Sequence, residues 1–310
     1  MAAKSIVVQT PASTSNCGPG FDSLGIALKL YNYVRVEMTE SEGVTYLGEE
    51  TMSEASMRMV AEAADLFFSE TGRVRHGVGF DIWGQIPIAR GLGSSSTLRA
   101  GIVEGLNALN GNSLDKEDLA ALVCQLDHSP DNTCPLVHGG FCVARTDPDS
   151  GAHIYTLKHA VSDSIRFVVV SPETRVLTGD ARKVLPEKIS FEDAVKSINS
   201  AATVVSIFAS QQYDLLGHAI TDYIHQPYRG VLNPFLSEVI GAGQDAGAYT
   251  GWLSGSGSSI LCVAPAEDAL EVANRMTGVL TAAGVQSQFF VLEADNDGVQ
   301  IVSDSDSSVE

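Results

Sequence analysis

Residues 87–97 bring together glycines and hydroxyl-bearing residues directly before a long segment of helical apolar spacing. The stretch reads PIARGLGSSST, with Gly91 and Gly93 on either side of Leu92 and three serines behind them. A helix that begins here would present unpaired backbone N–H groups and the positive end of its dipole. Glycines let that backbone approach a ligand, and serine hydroxyls add donors or a ligand for Mg²⁺. The composition predicts a phosphate-binding loop, and a plain capped turn is the alternative.

This loop differs from two widespread phosphate-binding motifs. A Walker A loop requires G-x-x-x-x-G-K-[ST], and no lysine follows these glycines. A dinucleotide-binding loop requires G-x-G-x-x-G, and Ser96 stands where its last glycine would be. The loop alone therefore does not identify the reaction.

The segments around the loop alternate between strand-like and helix-like patterns. The strand GVGFDIWGQIP leads into the loop, and the helix STLRAGIVEGLNALNG leaves it with Ser94 to Ser96 available as N-caps. The next helix, SLDKEDLAALVCQLD, has Ser113 or Asp115 as its predicted N-cap. The strands SIVVQT and YVRVEM and the helix SEASMRMVAEAADLFFSETG precede the loop.

The second half repeats this mixture. The strand IRFVVVSP is followed by helical stretches near 178–184, 190–210, 213–224 and 234–246. A strand–glycine turn–strand segment, YTGWLSGSGSSILCVAP, then leads to the helix AEDALEVANRMTGVLTAAG and the strand QSQFFVLEA. We predict an α+β fold with an N-terminal domain over residues 1–160 and a C-terminal domain over residues 161–310.

Composition excludes several classes of partner. The net charge is −19 and the C-terminal tail is acidic, so neither nucleic acid nor an anionic membrane is an expected partner. No apolar run approaches the roughly 18 residues of a membrane helix, and the N-terminus lacks the pattern of a signal peptide. We therefore expect a cytoplasmic protein.

The five cysteines are scattered along the chain and form no C-x-x-C pair, and the seven histidines include no H-E-x-x-H motif. We expect no zinc site and no disulfide framework. The cysteines are expected to be small buried residues.

Six segments, in order, resemble the motifs of the GHMP kinases, which phosphorylate small alcohols. The phosphate loop P-x-x-R-G-L-G-S-S-S resembles that of the whole family, and GWLSGSGSSILCV resembles its third motif. Four segments resemble the homoserine kinase branch, namely PASTSNCGPGFDSLGIALKLYN, SPDNTCPLVHGGF, TGDARKVLPEKISFEDAV and QPYRGVLNPF. The resemblance runs from about residue 5 to residue 295 and favours phosphate binding over a plain capped turn.

The resemblance implies a fold and a set of site residues. The fold would be a ribosomal-protein-S5-like N-terminal domain and a ferredoxin-like C-terminal domain, with the active site in the cleft between them. The loop residues expected to bind ATP are Pro87, Arg90, Gly91, Leu92, Gly93, Ser94, Ser95, Ser96 and Thr97. The residues expected to bind the amino-acid substrate are Asn16, Asp22, Asn132, Arg182 and Arg229.

Chemistry would be in-line transfer of the γ-phosphoryl group, which depends on positioning and charge neutralisation more than on a strong base. Asn132 and Arg182 are the expected catalytic contacts, and Asp131 is a candidate for orienting its neighbours. Asp127 and Ser95 are the expected ligands of Mg²⁺. The cofactors implied are ATP and Mg²⁺.

Some positions depart from the family pattern. Asp127 replaces a usual glutamate, and Ser129 replaces the histidine of E-G-H-P-D-N. Ser197 replaces an asparagine, while Thr250 and Ser258 replace a glycine and a proline of the third motif. These changes leave a kinase assignment in place, but they leave open whether the substrate is homoserine or another small alcohol.

Three functions remain open from the sequence. The first is ATP-dependent phosphorylation of L-homoserine to O-phospho-L-homoserine in threonine biosynthesis. The second is phosphorylation of another small alcohol, such as L-threonine or a mevalonate-pathway compound. The third is nucleotide binding without catalysis. The resemblance also makes a homodimer possible.

Overall fold

A computed structural model describes residues 5–40 and 42–302, so the end of the predicted acidic tail lies outside the described residues. The helices are α1 Glu54–Thr71, α2 Ser94–Leu109, α3 Lys116–Asp127, α4 Pro130–His138, α5 Thr178–Lys183, α6 Phe191–Ser210, α7 Gln226–Arg229, α8 Leu236–Asp245 and α9 Ala269–Ala282. The strands are β1 Ser5–Ser15, β2 Leu24–Thr39, β3 Val44–Tyr46, β4 Gly77–Gly84, β5 Phe141–Thr146, β6 His153–His159, β7 Ile165–Pro172, β8 Thr250–Leu253, β9 Ile260–Pro265, β10 Ser287–Leu292 and β11 Gln300–Val302. Short 3₁₀ turns cover Tyr213–His218 and Gly230–Leu232.

The first sheet has the order β11-β1-β2-β4-β3, and β5 and β6 continue it from the start of β2. The strand β2 is 16 residues long, which allows it to pair with β1, β4 and β5. Helices α1 to α4 pack their buried side chains against this sheet. Val34 and Val36 of β2 pack in one core with Phe67 of α1 and with Ile102 and Leu106 of α2.

The second sheet is antiparallel and has the order β10-β7-β9-β8. Its first strand in the chain, β7, is therefore an interior strand, as in the ferredoxin-like arrangement. Helices α8 and α9 pack on this sheet through Val239 and Met276, which share a core with Val168 of β7. The predicted α+β class and the ferredoxin-like second domain are confirmed.

A third core joins the two sheets. It contains Ile26 and Phe141 from the first sheet and Phe208 and Trp252 from the second half of the chain. The rings of Phe141 and Phe208 stack with centroids 4.4 Å apart. The indole N–H of the fully buried Trp252 donates a hydrogen bond of 3.0 Å to Thr14 Oγ1. This contact fixes the end of β1 against β8, where the glycine-rich segments of both halves meet.

Most predicted elements are present, and the exceptions have structural reasons. The stretch 213–224 is not a helix beyond the turn Tyr213–His218, because Asp222 holds the backbone N–H groups of the next turn. Helix α4 and strands β5 and β6 were not predicted. The proposed boundary near residue 160 falls between β6 and β7, but β11 returns from the second half to pair with β1. Among the described residues, no helix combines the length and the apolar character needed to cross a bilayer.

Candidate active site

The glycine-rich loop ends at the N-terminus of helix α2. Gly93 is the N-cap residue in a left-handed conformation, with φ 74°, and no side chain caps the helix. The prediction that a serine of 94–96 caps α2 is therefore wrong. Because the first turn has no side-chain cap, its backbone N–H groups are available to an anion, and the helix dipole favours one there.

Glycine is required at two loop positions by close backbone packing. A Cβ atom on Gly91 would lie 2.0 Å from the Ser254 carbonyl oxygen, and one on Gly93 would lie 2.3 Å from Ser13 Oγ. Both residues also have φ of 74°, which L side chains rarely adopt. The loop is thus pressed against β1 and against the second glycine-rich turn.

The second glycine-rich turn connects β8 and β9 and fixes the phosphate loop from the other side. The Ser254 hydroxyl donates to the Gly91 carbonyl oxygen at 2.7 Å, and the Ser259 N–H donates to the Arg90 carbonyl oxygen at 3.1 Å. The Gly255 carbonyl oxygen accepts hydrogen bonds from Asn16 Nδ2 at 3.3 Å and from Arg229 Nη1 at 3.0 Å. Predicted ATP-binding and substrate-binding residues are therefore brought together through this turn.

Not every loop residue points toward a ligand. The Leu92 side chain lies in the core between the sheets, and the Thr97 hydroxyl donates to the Ser94 carbonyl oxygen at 2.8 Å. Ser95 is exposed, and Ser94 is half-exposed at the start of α2. Arg90 Nε is buried without a hydrogen-bond partner among the described residues. Pro87 is half-buried in the entry to the loop.

Asp22 and Arg182 form a bidentate ion pair across the cleft. The Arg182 Nη1 and Nη2 atoms lie 2.9 Å and 2.8 Å from the two carboxylate oxygens of Asp22. The Arg182 guanidinium also lies over the Phe21 ring, 5.5 Å from its centroid. The two residues are 160 positions apart, so only the tertiary fold pairs them.

Arg229 is a buried cation behind this pair. It is 2% exposed, and its guanidinium lies 5.1 Å from the Phe21 centroid, so that ring contacts both arginines. Nε donates to the Ala181 carbonyl oxygen at 3.2 Å and Nη1 to that of Gly255, which leaves Nη2 without a hydrogen bond to any described residue. Burial lowers the pKa of Arg229, and the charge of Arg182 adds to this effect. A poorly solvated cation with a free N–H₂ group is suited to bind a carboxylate.

His225 positions Arg229 and was not predicted from the sequence. His225 is fully buried, its Nε2 lies 2.7 Å from the Gly18 carbonyl oxygen, and its Nδ1 lies 3.4 Å from Arg229 Nη1. Burial lowers the pKa of His225, which favours the neutral ring. Since a carbonyl oxygen and an arginine flank the ring, we assign the proton to Nε2 and the accepting role to Nδ1.

Two asparagines hold the backbone segments of the cleft. Asn16 has a positive φ of 68° and accepts a hydrogen bond from the Asp22 N–H at 3.2 Å, which fixes the turn that presents the Asp22 carboxylate. Asn132 Oδ1 accepts from Ser13 Oγ at 3.0 Å, while its amide nitrogen makes no hydrogen bond to a described residue. Asn132 therefore has free donors at the first turn of α4.

Asp127, the predicted Mg²⁺ ligand, is the last residue of α3. Its two oxygens lie 2.5 Å from Ser96 Oγ and 2.5 Å from Arg99 Nη1, and its side chain is only 6% exposed. The structure therefore places Ser96 next to Asp127, whereas Ser95, its predicted partner, is exposed and makes no hydrogen bond to Asp127. The one-turn offset between Ser96 and Arg99 on α2 explains how both reach one carboxylate.

Asp131 is the most buried acid of the cluster. It is 2% exposed, and its Oδ1 atom has no hydrogen-bond partner among the described residues. Burial raises the pKa of Asp131 to about 8, and the negative charge of Asp22 adds to this, whereas Ser15 and Arg182 oppose it. The group is thus mainly protonated at neutral pH and can donate a hydrogen bond.

Comparison with known proteins gives one consistent family. The profile described as "GHMP kinases N terminal domain" matches residues 58–140, and the profile "GHMP kinases C terminal" matches residues 204–281. A homoserine kinase of Caldanaerobacter subterraneus subsp. tengcongensis is 33% identical over 97% of both chains. A homoserine kinase of Clostridium beijerinckii is 35% identical over 96% of this chain and 98% of its own.

Solved structures show the same fold. The crystal structure of homoserine kinase from Cytophaga hutchinsonii has a TM-score of 0.88 and 26% identity, and covers 97% of this chain and 98% of its own. The mevalonate kinase of Methanococcus jannaschii has a TM-score of 0.67 at 14% identity, over 94% of this chain and 98% of its own, which supports the fold alone.

Proposed function

Since this chain belongs to the GHMP kinase family, among the homoserine kinases, we propose that it transfers the γ-phosphoryl group of ATP to the hydroxyl of L-homoserine. The product would be O-phospho-L-homoserine for threonine biosynthesis. The observation that carries this proposal is the pairing of Asp22 with Arg182 beside buried Arg229, in a cleft that also contains the uncapped start of α2.

The start of α2 would receive the phosphates of ATP. The free N–H groups of its first turn and the hydroxyls of Ser94 and Ser95 supply neutral donors, and Arg90 adds positive charge at the loop entry. The packing of Gly91 and Gly93 keeps these donors in place before the nucleotide arrives. Such preorganisation is what in-line transfer requires from a protein.

The Asp22–Arg182 pair would be replaced by two ion pairs to the substrate. A zwitterionic amino acid carries an ammonium and a carboxylate, so Asp22 would bind the first and Arg182 the second. Arg229 Nη2 would give the carboxylate a second, buried contact. The ion pair in the free enzyme thus matches the two charges that separate this substrate class from simple alcohols.

Asn132 and Asp131 would then position the hydroxyl. The free amide N–H₂ group of Asn132 can donate to the substrate hydroxyl, while Ser13 holds the other end of the amide. Asp131 is mainly protonated at neutral pH and so orients its neighbours instead of abstracting a proton. Because phosphoryl transfer needs little base catalysis, the hydroxyl proton would leave to a γ-phosphate oxygen or to solvent, and no strong base is required from the protein.

The donor set around Asp127 fits Mg²⁺. A carboxylate and serine hydroxyls are hard oxygen ligands, and Ser96 Oγ is already 2.5 Å from the Asp127 carboxylate. We propose that Asp127 holds Mg²⁺ together with a loop serine, Ser95 or Ser96. Bound there, the ion would supply positive charge that offsets the charge of the ATP phosphates. Arg99 would hold the Asp127 carboxylate in place by donating a hydrogen bond to Asp127 Oδ1.

A substrate panel tests this function. ADP release would be measured in a coupled assay with L-homoserine, L-threonine, mevalonate, and aminopropanol, which keeps the hydroxyl and amine of homoserine but lacks its carboxylate. We expect the highest kcat/KM for homoserine and a much lower one for aminopropanol. A higher kcat/KM for threonine or mevalonate would refute the homoserine assignment, and ATP binding without turnover of any of the four would support the non-catalytic alternative.

We also propose that the protein works in the cytoplasm as a homodimer. Among the strands of residues 5–40 and 42–302, β6 pairs only with β5, and it exposes Ile154, Tyr155 and Leu157, a combination that favours association. Sedimentation would measure the mass in solution, and Leu157→Lys should dissociate the dimer. A monomeric wild-type protein would contradict the proposal.

A further inference from the structure

Two cysteines and a histidine from three separate elements meet beside the active site. They are Cys124 of α3, Cys134 of α4 and His153 of β6, and their ligand atoms all lie within 4.8 Å of one another. Cys134 Sγ is 3.8 Å from His153 Nδ1. In a tetrahedral zinc site with Zn–S bonds of about 2.3 Å, neighbouring ligand atoms are about 3.5–3.8 Å apart. The three atoms therefore need only small movements to reach one ion.

The imidazole of His153 is oriented as in a metal site. Its Nε2 lies 3.1 Å from Glu117 Oε2, so the ring N–H is on that side and the Nδ1 lone pair points toward Cys134. A carboxylate on the far nitrogen is the usual partner of a zinc-binding histidine, because it fixes the ring and raises its basicity. The His153 side chain is 1% exposed, whereas Glu117 is 45% exposed at the rim.

We propose that Cys124, Cys134 and His153 bind a single Zn²⁺-like ion, with solvent as the fourth ligand and Glu117 as the partner of His153. Binding would replace the two thiol protons by metal–sulfur bonds and release them to solvent. Thiolate and imidazole ligands favour zinc over Mg²⁺.

This site is separate from the phosphate loop but connected to it through the chain. Cys124 lies three residues before Asp127, and Cys134 lies two residues after Asn132. An ion held by both cysteines would tie the end of α3 to the start of α4, and the segment between them carries Asp127, Asp131 and Asn132. We expect metal binding to stabilise this segment without contacting the substrates.

A disulfide between Cys124 and Cys134 is the competing use of the same thiols. The position of His153 and the Glu117 bond favour a metal, because a disulfide requires neither. The two uses are distinguishable, since a disulfide removes both thiols in the absence of metal.

The test uses reduced full-length protein stripped with a chelator and titrated with Co²⁺, then with Zn²⁺. We expect one equivalent of Co²⁺ to give a thiolate charge-transfer absorption that Zn²⁺ abolishes, and Zn²⁺ to raise the Tm. Cys134→Ala and His153→Gln should lose the absorption. Cys142→Ala is the matched control, because Cys142 is also buried in this cysteine cluster but is not one of the three ligands.

Glu117→Gln tests the orienting carboxylate at a rim position that should not affect folding. We expect it to weaken Zn²⁺ binding by about 10- to 100-fold. The proposal is overturned if reduced protein shows no Co²⁺–thiolate absorption, or if Cys134→Ala keeps it. It is also overturned if alkylation and mass measurement show that Cys124 and Cys134 are already a disulfide in freshly purified protein.

Discussion

Replacement of Arg182 by methionine should remove the part of catalysis that depends on the substrate carboxylate. The Arg182 side chain is 40% exposed, so its ion pair with Asp22 contributes only about 0–1 kcal/mol to folding and the variant should fold. Loss of one charged hydrogen-bond partner of the bound carboxylate should cost about 2–3 kcal/mol of transition-state binding. At about 1.4 kcal/mol for each factor of ten, kcat/KM for homoserine should fall by about 30- to 140-fold.

The assay compares two substrates and two variants. The kcat/KM of wild type, Arg182→Met and Arg182→Lys would be measured for homoserine and for aminopropanol, with ATP affinity measured separately. We expect Arg182→Lys to recover part of the homoserine activity, because it keeps the charge but loses the two-pronged geometry. ATP affinity should stay within about twofold of the wild type, since Arg182 contacts Asp22 and Phe21 and not the phosphate loop.

The prediction is refuted if the loss of kcat/KM does not depend on the substrate carboxylate. If Arg182→Met lowered kcat/KM for aminopropanol as much as for homoserine, Arg182 would act on the phosphoryl group or on the fold. If homoserine turnover did not change, the pair with Asp22 would be a surface ion pair only.

Three further predictions concern the loop, the metal and the buried acid. Gly93→Val should abolish nucleotide binding, measured by calorimetry, because a Cβ atom there would lie 2.3 Å from Ser13 Oγ; unchanged ATP affinity would remove the loop from the site. Asp127→Asn should raise the Mg²⁺ concentration for half-maximal rate by about tenfold or more. The matched control Arg99→Gln should raise it less. Equal shifts in the two variants would mean that Asp127 serves only as the counter-ion of Arg99. Burial raises the pKa of Asp131 to about 8, above its value in the unfolded chain, so the contribution of Asp131 to the free energy of unfolding should fall as pH rises from about 4 through about 8. Asp131→Asn should remove up to about 1.4 kcal/mol of that loss for each pH unit, which thermal unfolding at about pH 5 and about pH 9 would show; parallel curves would contradict it.

The elements that carry the site could be predicted from local sequence. The start of α2 follows from a glycine pair before a 3.6-residue apolar period, and Asp115, which caps α3, is one of the two N-caps predicted for that helix. Helix α4 was missed, because PDNTCPLVH contains Pro130 and Pro135 and reads as a turn. Pro130 lies in its first turn, where no N–H is needed, and burial against β1, β2 and β5 stabilises the remainder.

The site residues also divide into those that motifs predict and those that only the packing reveals. The positions of Asp22, Asn132, Arg182 and Arg229 were predicted from motifs, and their roles remain predictions. In the structure Asp22 pairs with Arg182, and both arginines contact Phe21. The residues that hold the site residues in place could not be predicted. Arg99 contacts Asp127 and His225 contacts Arg229, and neither belongs to a motif. His225 is separated by 207 residues from the Gly18 carbonyl oxygen that fixes its ring.

The sequence by itself determined the α+β class, the position of the glycine-rich loop and the family, because these depend on residue type and spacing over short stretches, whereas the absence of a serine cap on α2 is seen only in the structure. Only the tertiary structure decided which charges meet. Packing buried Asp131 and so raised its pKa, paired Asp22 with Arg182, and brought together Cys124, Cys134 and His153, whose scattered positions in the chain had predicted no zinc site. Spacing along the chain cannot fix such distances, because they are set by how separate helices and strands pack and by how much water the packing excludes.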